Sequence, residues 1–342
     1  MSDYELVEVF PFSSDDGAEE LVAFHNEIGR EKIWYRSDAT VADYRAKNDE
    51  PGIVMRHFVT RNEADEIVGL LVVGVWDDGT NDHLVWGQMG VRKDARRQGI
   101  GRQFLRRCVA IAEENNCTVI TADTINTIPA GGAFARSVGA EEGLRKVTNM
   151  VAVSEIDRSM LDGWRTAAPG RAPGYEVLVI DGNYPEEFYE GVARLFVIGE
   201  EDMPFDDLDM EPMVTTAETI ADRIKQLEGV VERTTAIARH VESGQLVGFS
   251  GIIRFVEDHE TLNTSLTVVD RDHRGFALGK WIKSAVILRA LEKYPKAIRL
   301  VTENAASNAP MLGINTAIGF KPEFEMVAYQ ATVDVVKAYL NR

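Results

Sequence analysis

Apolar and polar positions recur along this chain in an order that repeats once. Residues 4–10 alternate enough to form an opening strand, and Ser13, Ser14, Asp15 and Asp16 offer capping side chains for a helix through 18–24. A short helix is expected after Thr40. Residues 53–60 and 67–76 are strand runs joined by a polar 61–65, the spacing of a hairpin. Asp77-Asp78-Gly79-Thr80 then turns the chain into a further apolar run over 83–91. Over 100–114, Ile100, Phe104, Leu105, Cys108, Val109, Ile111 and Ala112 recur at three and four, which predicts a helix with one face on a sheet. A buried strand at 119–122, a short helix at 130–138 and a strand at 145–153 complete the half.

Residues 159–173 hold Gly163, Pro169, Gly170 and Pro173 among few large apolar residues and read as a linker, which divides the chain into domains 1–158 and 174–342. The second half restarts with a strand at 175–180. Helices follow at 185–199 and 216–227, then strands at 234–241, 246–256 and 262–269. A helix reaching Tyr294, a strand at 298–302, a helix around 311–318, a strand at 324–333 and a terminal helical turn end it. The order predicts an α+β (layered α/β) fold twice over, each domain a mixed twisted sheet flanked by helices.

Both halves carry a glycine-bearing basic turn between a strand and a helix. The first is Asp94-Ala95-Arg96-Arg97-Gln98-Gly99-Ile100-Gly101-Arg102; the second is Asp272-His273-Arg274-Gly275-Phe276-Ala277-Leu278-Gly279-Lys280. Such a turn lets backbone approach a ligand closely and aims several N–H groups one way, as a pyrophosphate seat requires. The dinucleotide fingerprint is excluded, because Phe104 stands where its third glycine belongs, and no Gly-Lys-Ser/Thr phosphate loop is present.

Composition narrows the function. With 342 residues, 45% of them hydrophobic, the chain can bury two cores. No apolar stretch reaches a membrane span and the start is acidic, so no membrane role and a cytoplasmic location are expected. A net charge of -18 opposes nucleic acid and favours a cationic small molecule. Cys108 and Cys117 are too few for a disulfide framework or zinc site, and His240, His259 and His273 lack metal spacing. Trp34, Tyr35, Trp76 and Trp86 read as core or pocket wall.

Taken with its context, the loop resembles the Arg/Gln-x-x-Gly-x-Gly/Ala pattern of the GNAT superfamily of acyl-CoA-dependent N-acetyltransferases. Arg96 to Gly101 match it fully; Arg274 to Gly279 match it with Ala277 for the first glycine. Thr302-Glu303-Asn304, Asn308-Ala309-Pro310-Met311 and Ile318-Gly319-Phe320 look like the family's last strand and helix. The whole chain is thus similar to tandem, two-domain acetyltransferases.

That resemblance implies acetyl-CoA as cofactor, a small-molecule amine acceptor, and a monomer or homodimer. Coenzyme A would lie between two splayed strands, on Met89, Val91, Arg96, Arg97, Gln98, Gly99, Ile100, Gly101 and Arg102 in one half. In the other it would lie on Thr267, Val269, Arg274, Gly275, Phe276, Ala277, Leu278, Gly279, Lys280, Asn304 and Asn308. The amine attacks the thioester directly and the thiolate leaves. Neutralising an amine of pKa ~10.4 at pH 7 costs about 4.6 kcal/mol, against about 2 kcal/mol for a thiol of pKa ~8.5, so a base matters more than an acid. Family members often place a tyrosine acid four residues before the final glycine; here Ala135 and Asn315 stand there, leaving water or Tyr329 as substitutes. Glu303 and Asp123 are the candidate bases, and Glu303, Asn308 and Tyr329 the catalytic set expected. Thr124 and Ile128 replace Asn304 and Asn308 in the first half, which points to the second half for chemistry. Seven carboxylates over 199–211 (Glu200, Glu201, Asp202, Asp206, Asp207, Asp209, Glu211) are expected to attract a cationic acceptor. A coenzyme-A-binding protein without transferase activity, a longer-chain acyltransferase and an O-acyltransferase are the alternatives.

Overall fold

The computed structural model describes residues 4–35, 37–49 and 51–342. In chain order these form β1 (Leu6–Val9), α1 (Asp15–Lys32), α2 (Val41–Asn48), β2 (Ile53–Arg61), β3 (Ile67–Trp76), β4 (Leu84–Val91), α3 (Ile100–Glu114), β5 (Val119–Ile125), α4 (Pro129–Val138) and β6 (Glu141–Ala152). There follow α5 (Arg158–Arg171), β7 (Tyr175–Asp181), α6 (Tyr189–Glu201), α7 (Ala217–Gln226), β8 (Val231–His240), β9 (Leu246–Phe255), β10 (Thr261–Val269), α8 (Leu278–Lys293), β11 (Arg299–Ala305), α9 (Ala309–Ile318), β12 (Lys321–Thr332) and α10 (Val333–Leu340). Ser14 caps α1 by accepting from the Gly17 amide at 3.3 Å; the side chains of Asp15 and Asp16, expected beside it, lie outside the described residues.

Two compact units result. The first comprises Met1–Arg145, Phe205–Glu211 and Phe324–Arg342; the second comprises Lys146–Pro204 and Pro212–Glu323. The first unit's sheet runs β1-β2-β3-β4-β5-β12, antiparallel except for the β4–β5 pair. The second runs β7-β8-β9-β10-β11-β6, antiparallel except for β10–β11.

This corrects the linear division at 159–173. The strand after α4 closes the second sheet, pairing Thr302 with Asn149, and the last strand closes the first, pairing Tyr329 with Ala122. The physical reason is equivalence: β6 and β12 are both twelve-residue strands with similar burial patterns, so either fits the open edge of either sheet. Nor are residues 159–171 a linker. They form most of α5, because Leu161 and Ala168 bury in the second core with Met160 and Trp164 against it, while Pro169 and Gly170 fall only in the helix's last turn. The acidic stretch also divides, with 205–211 joining the first unit. There the Asp207 amide donates to Gly143 O (2.9 Å), Gln330 Nε2 donates to Asp207 O (2.8 Å), and the Glu211 amide donates to Asn81 Oδ1 (2.7 Å).

Alternation along the central strands sorts each core onto two faces. On β3, Leu71 and Val73 meet Ile100, Phe104 and Cys108 of α3, while Leu70 and Val72 meet Leu21, Phe24 and Ile28 of α1. On β8, Ala236 and Ala238 meet α8 and α5, while Ile237 meets Val192 and Leu195 of α6. Val333 and Val336 pack α10 into the α3 core, as α5 packs on α8. The helices α3 and α8 are thereby held at fixed height, each starting where a central strand ends.

Candidate active site

In each unit the parallel strand pair parts after three residues. β4 and β5 pair from Leu84↔Val119 to Trp86↔Thr121, and β10 and β11 from Thr261↔Arg299 to Asn263↔Val301. Beyond these points no ladder joins 87–91 to 122–125, or 264–269 to 302–305, so Met89, Val91, Thr267, Val269, Glu303 and Asn304 all border an open V.

The glycine-bearing turns sit at the ends of β4 and β10 and share a backbone. Left-handed residues occur at Arg97 (φ 66°) and Gly99 (φ 92°) in the first, and at Gly275 (φ 91°) and Ala277 (φ 60°) in the second. In each loop one of the two left-handed positions is glycine and the other bears a side chain, in a conformation that costs about 1–2 kcal/mol. Among the described residues, the amides of 97–101 and 275–279 have no protein acceptor, and residues 97–99 and 274–276 are exposed. Those N–H groups face outward at a helix start, as anion binding requires.

The leading arginines act as braces. Arg96 Nε donates to Val91 O and Arg274 Nε to Val269 O, both at 3.0 Å; Arg96 also pairs with Glu31 (2.5 Å), and Arg274 with Asp202. Their charge is spent within the protein, tying strand end, loop and preceding helix together, which the sequence did not reveal. Tyrosines of the first strand region steady the same loops: Tyr4 donates to Gln98 Oε1 (2.6 Å), and Tyr175 Oη lies 2.9 Å from His273 Nδ1. Lys280 stacks over Trp164 at 5.0 Å, and Arg102 donates to Leu340 O (2.8 Å). Gly101 faces the Phe134 ring, which a Cβ would meet at 3.1 Å, whereas a Cβ on Gly279 would stand 3.9 Å from its neighbours.

The two clefts differ where chemistry would occur. β3 and β4 run in unbroken register from Gly69↔Val91 to Val75↔Val85, but the register of β10 on β9 shifts by one between Thr264 and Thr267. Ser265 and Leu266 fall outside that ladder as a bulge. The extra residue is legible in the repeat: the strand starts Leu84 and Thr261 lie 177 apart, whereas Arg96 and Arg274 lie 178 apart. In the first cleft, Trp86 Nε1 instead donates to Asp123 Oδ2 (3.4 Å) across the parting point.

The expected catalytic set is split. Glu303 and Asn308 lie in the second unit and Tyr329 in the first. Tyr329 is buried, donates to Glu142 Oε1 (3.0 Å) and accepts from Arg136 Nη1 (2.9 Å); burial, then Glu142, holds its hydroxyl above the usual tyrosine range. It thus stands in the first unit, apart from Glu303 and Asn308. Asn308 Oδ1 caps α9 by accepting from the Met311 amide (3.3 Å), and Glu303 pairs with Lys146 at 3.6 Å. Of the seven acidic residues, Glu201 and Asp202 pair with Arg271, and Asp209 lies 3.3 Å from His83 Nε2. Glu200, Glu201 and Asp202 belong to the second unit, and Asp206, Asp207, Asp209 and Glu211 to the first.

Within that run Glu200 is set apart by its surroundings. Gly199 abuts the bulge so closely that a Cβ would fall 2.4 Å from Leu266 Cδ2, which puts Glu200 at the end of α6 beside the parted strands. Burial pushes its carboxyl above the usual range, against the opposing pull of Lys146 and Arg223. Trp34 is 65% exposed, while Trp76 is buried in the core as expected. Both cysteines are free and buried, and no metal-ligating cluster occurs among the described residues.

Each unit thus sets a parted parallel strand pair beside a glycine-bearing turn with outward-facing amides. Residues 21–139 match the Acetyltransferase (GNAT) family. Over 97% of this chain and 99% of the other, the structure superposes on a tandem GNAT protein from the clavulanic acid biosynthesis pathway (22% identity, TM-score 0.78). A GCN5-related N-acetyltransferase from Sphaerobacter thermophilus (11% identity, 97% and 96% covered, TM-score 0.67) is also similar. So is Saccharomyces cerevisiae N-myristoyltransferase with bound myristoyl-CoA (12% identity, 96% and 80% covered, TM-score 0.61). No curated relative matches the chain. The family match thus lies within the first unit, and the chain as a whole shares the fold of a tandem GNAT protein.

Proposed function

We propose that the second unit transfers an acetyl group from acetyl-CoA to a primary amine of a small, cationic molecule. One observation carries this: β10 has a bulge at Ser265 and Leu266, where the strands part, and its counterpart β4 has none. A bulge frees backbone N–H from the ladder, and such a donor can polarise a thioester carbonyl as its oxygen gains charge. The loop amides of 275–279 would seat the diphosphate. The amine nitrogen bonds to the carbonyl carbon, the C–S bond breaks with its electron pair on sulfur, and the nitrogen's proton passes to Glu200. A carboxylate whose burial raises its basicity suits that role better than the ion-paired Glu303. The first unit, without the bulge and with Trp86 bridged to Asp123, would bind coenzyme A without turnover.

Thiol release from acetyl-CoA with a panel of amines tests the reading. Ala277→Asp sets a carboxylate at the second phosphate seat and should abolish turnover. Gly99→Asp, where a Cβ meets nothing within 4 Å, should disable only the first seat. The reverse ranking would move the chemistry to the first unit; tight binding without turnover on any amine would make the chain a coenzyme-A-binding protein. The acid limb of kcat/KM should lie above the ordinary carboxylate value of 4.5 and vanish in Glu200→Gln. If Glu303→Gln removes it instead, Glu303 is the base.

A further inference from the structure

The two glycine-bearing loops differ in how they carry positive charge. In the first, Arg97 is exposed with no ion pair among the described residues, and Arg102 donates to the carbonyls of Tyr339 and Leu340, not to a carboxylate. In the second, 178 positions on, Gly275 replaces Arg97, while Arg271 and Arg274 are paired with Glu201 and Asp202. What the second loop has instead is a pair of imidazoles. His273 ends the turn that leads into the loop and His240 ends β8, with ring centroids 5.6 Å apart. Tyr175 joins both to the loop, its ring 5.3 Å from His240, 5.7 Å from His273 and 5.4 Å from Phe276. The residues 178 positions earlier are Asn62 and Ala95, neither of which titrates.

Each imidazole can take a proton without losing its bond. His240 Nδ1 lies 2.8 Å from Ser243 Oγ and His273 Nδ1 lies 2.9 Å from Tyr175 Oη, and a hydroxyl can either donate to a bare ring nitrogen or accept from a ring N–H. Among the described residues neither ring is paired with a carboxylate. Asp270 is near enough to His273 for their charges to interact, but it is paired with Arg194, and Glu176 is paired with Arg239 at 2.7 Å. Arg171, Glu242, Asp272 and Lys280 are the other charged groups on the adjoining elements.

We propose that the second loop takes up a proton on the His240–His273 pair when it binds a diphosphate, whereas the first, charged permanently by Arg97, takes up none. This rests on the reading of 275–279 as a coenzyme A diphosphate seat. Histidine is the side chain that ordinarily changes charge near neutral pH, and a neighbouring dianion favours its charged form. Affinity at the second loop therefore rises as pH falls, and affinity at the first does not.

Calorimetry with dephospho-coenzyme A tests this, since its diphosphate diester has no proton of its own to gain near neutral pH. The full chain carrying Gly99→Asp reports the second loop, and the full chain carrying Ala277→Asp reports the first. Titration in two buffers of different ionisation heat counts the protons exchanged. The Gly99→Asp chain should take up about a third to a half of a proton at pH 7 and bind about threefold to tenfold tighter at pH 6 than at pH 8. The Ala277→Asp chain should do neither. Adding His240→Asn and His273→Asn to Gly99→Asp should abolish the uptake and leave affinity at pH 8 within about twofold. The comparison of the two loops stays decisive if the histidine variants fail to fold. No uptake at the second loop, equal uptake at both, or uptake that survives both histidine substitutions overturns the proposal. If the Gly99→Asp chain does not bind dephospho-coenzyme A, the reading of the second loop fails first and the proposal with it.

Discussion

Replacing Lys283 by methionine should stabilise the second unit by a margin that depends on pH. Lys283 is 1% exposed in α8 and has no ion pair among the described residues; its ammonium lies 6.0 Å from the Phe320 ring. The first unit carries Leu105 at the equivalent place, 178 positions earlier. Burial pushes the Lys283 ammonium down to about 8 from 10.5. At about 1.36 kcal/mol per pH unit, that gap corresponds to a penalty of about 3 kcal/mol for the folded, charged form. Below pH 8 the penalty is complete. Between about 8 and 10.5 the unfolded chain holds the proton that the folded chain has released, so wild-type stability rises with pH; above 10.5 the penalty is gone. Methionine fills similar space without the charge, and should gain about 2–3 kcal/mol at pH 7 and far less at pH 10. Urea unfolding followed by tryptophan fluorescence, with Trp164 and Trp281 beside this core, measures both. An equal gain at the two pH values, or a less stable variant at pH 7, would refute the reasoning.

Two further outcomes follow from the loops and the exchanged strands. Ala277→Gly should raise stability by about 1 kcal/mol and Gly99→Ala should lower it by about as much, since a Cβ at Gly99 is unhindered and only the left-handed backbone is penalised; thermal melting checks both. Ending the chain after Glu323 removes α10 and all but the first three residues of β12, and should unfold the first unit while leaving the second protected in amide exchange. Loss of protection in the second unit alone would refute the strand assignment.

Much of each unit was legible from local pattern. The α3 helix followed from apolar spacing over Ile100, Phe104 and Ile111, and both loops from glycines flanked by a strand and a helix. The bulge in β10 was written in the one-residue change of repeat offset, yet only pairing made it visible. Arg96 and Arg274 read as phosphate-facing charge because their partners, Glu31 and Asp202, lie 65 and 72 residues away. Glu200 was lost in a run of carboxylates, since burial, which sets it apart, is not a local property.

By itself the sequence determined two copies of one layered fold, their helices and strands, and the loop that opens each long helix, all of which depend on contacts between near neighbours. Which strand closes which sheet, where α5 packs, and how the acidic segment divides were decided only by tertiary structure. β6 and β12 present nearly the same pattern to the same kind of edge, so nothing in either strand alone distinguishes its destination. The division of Glu303 and Tyr329 between different units follows from that exchange.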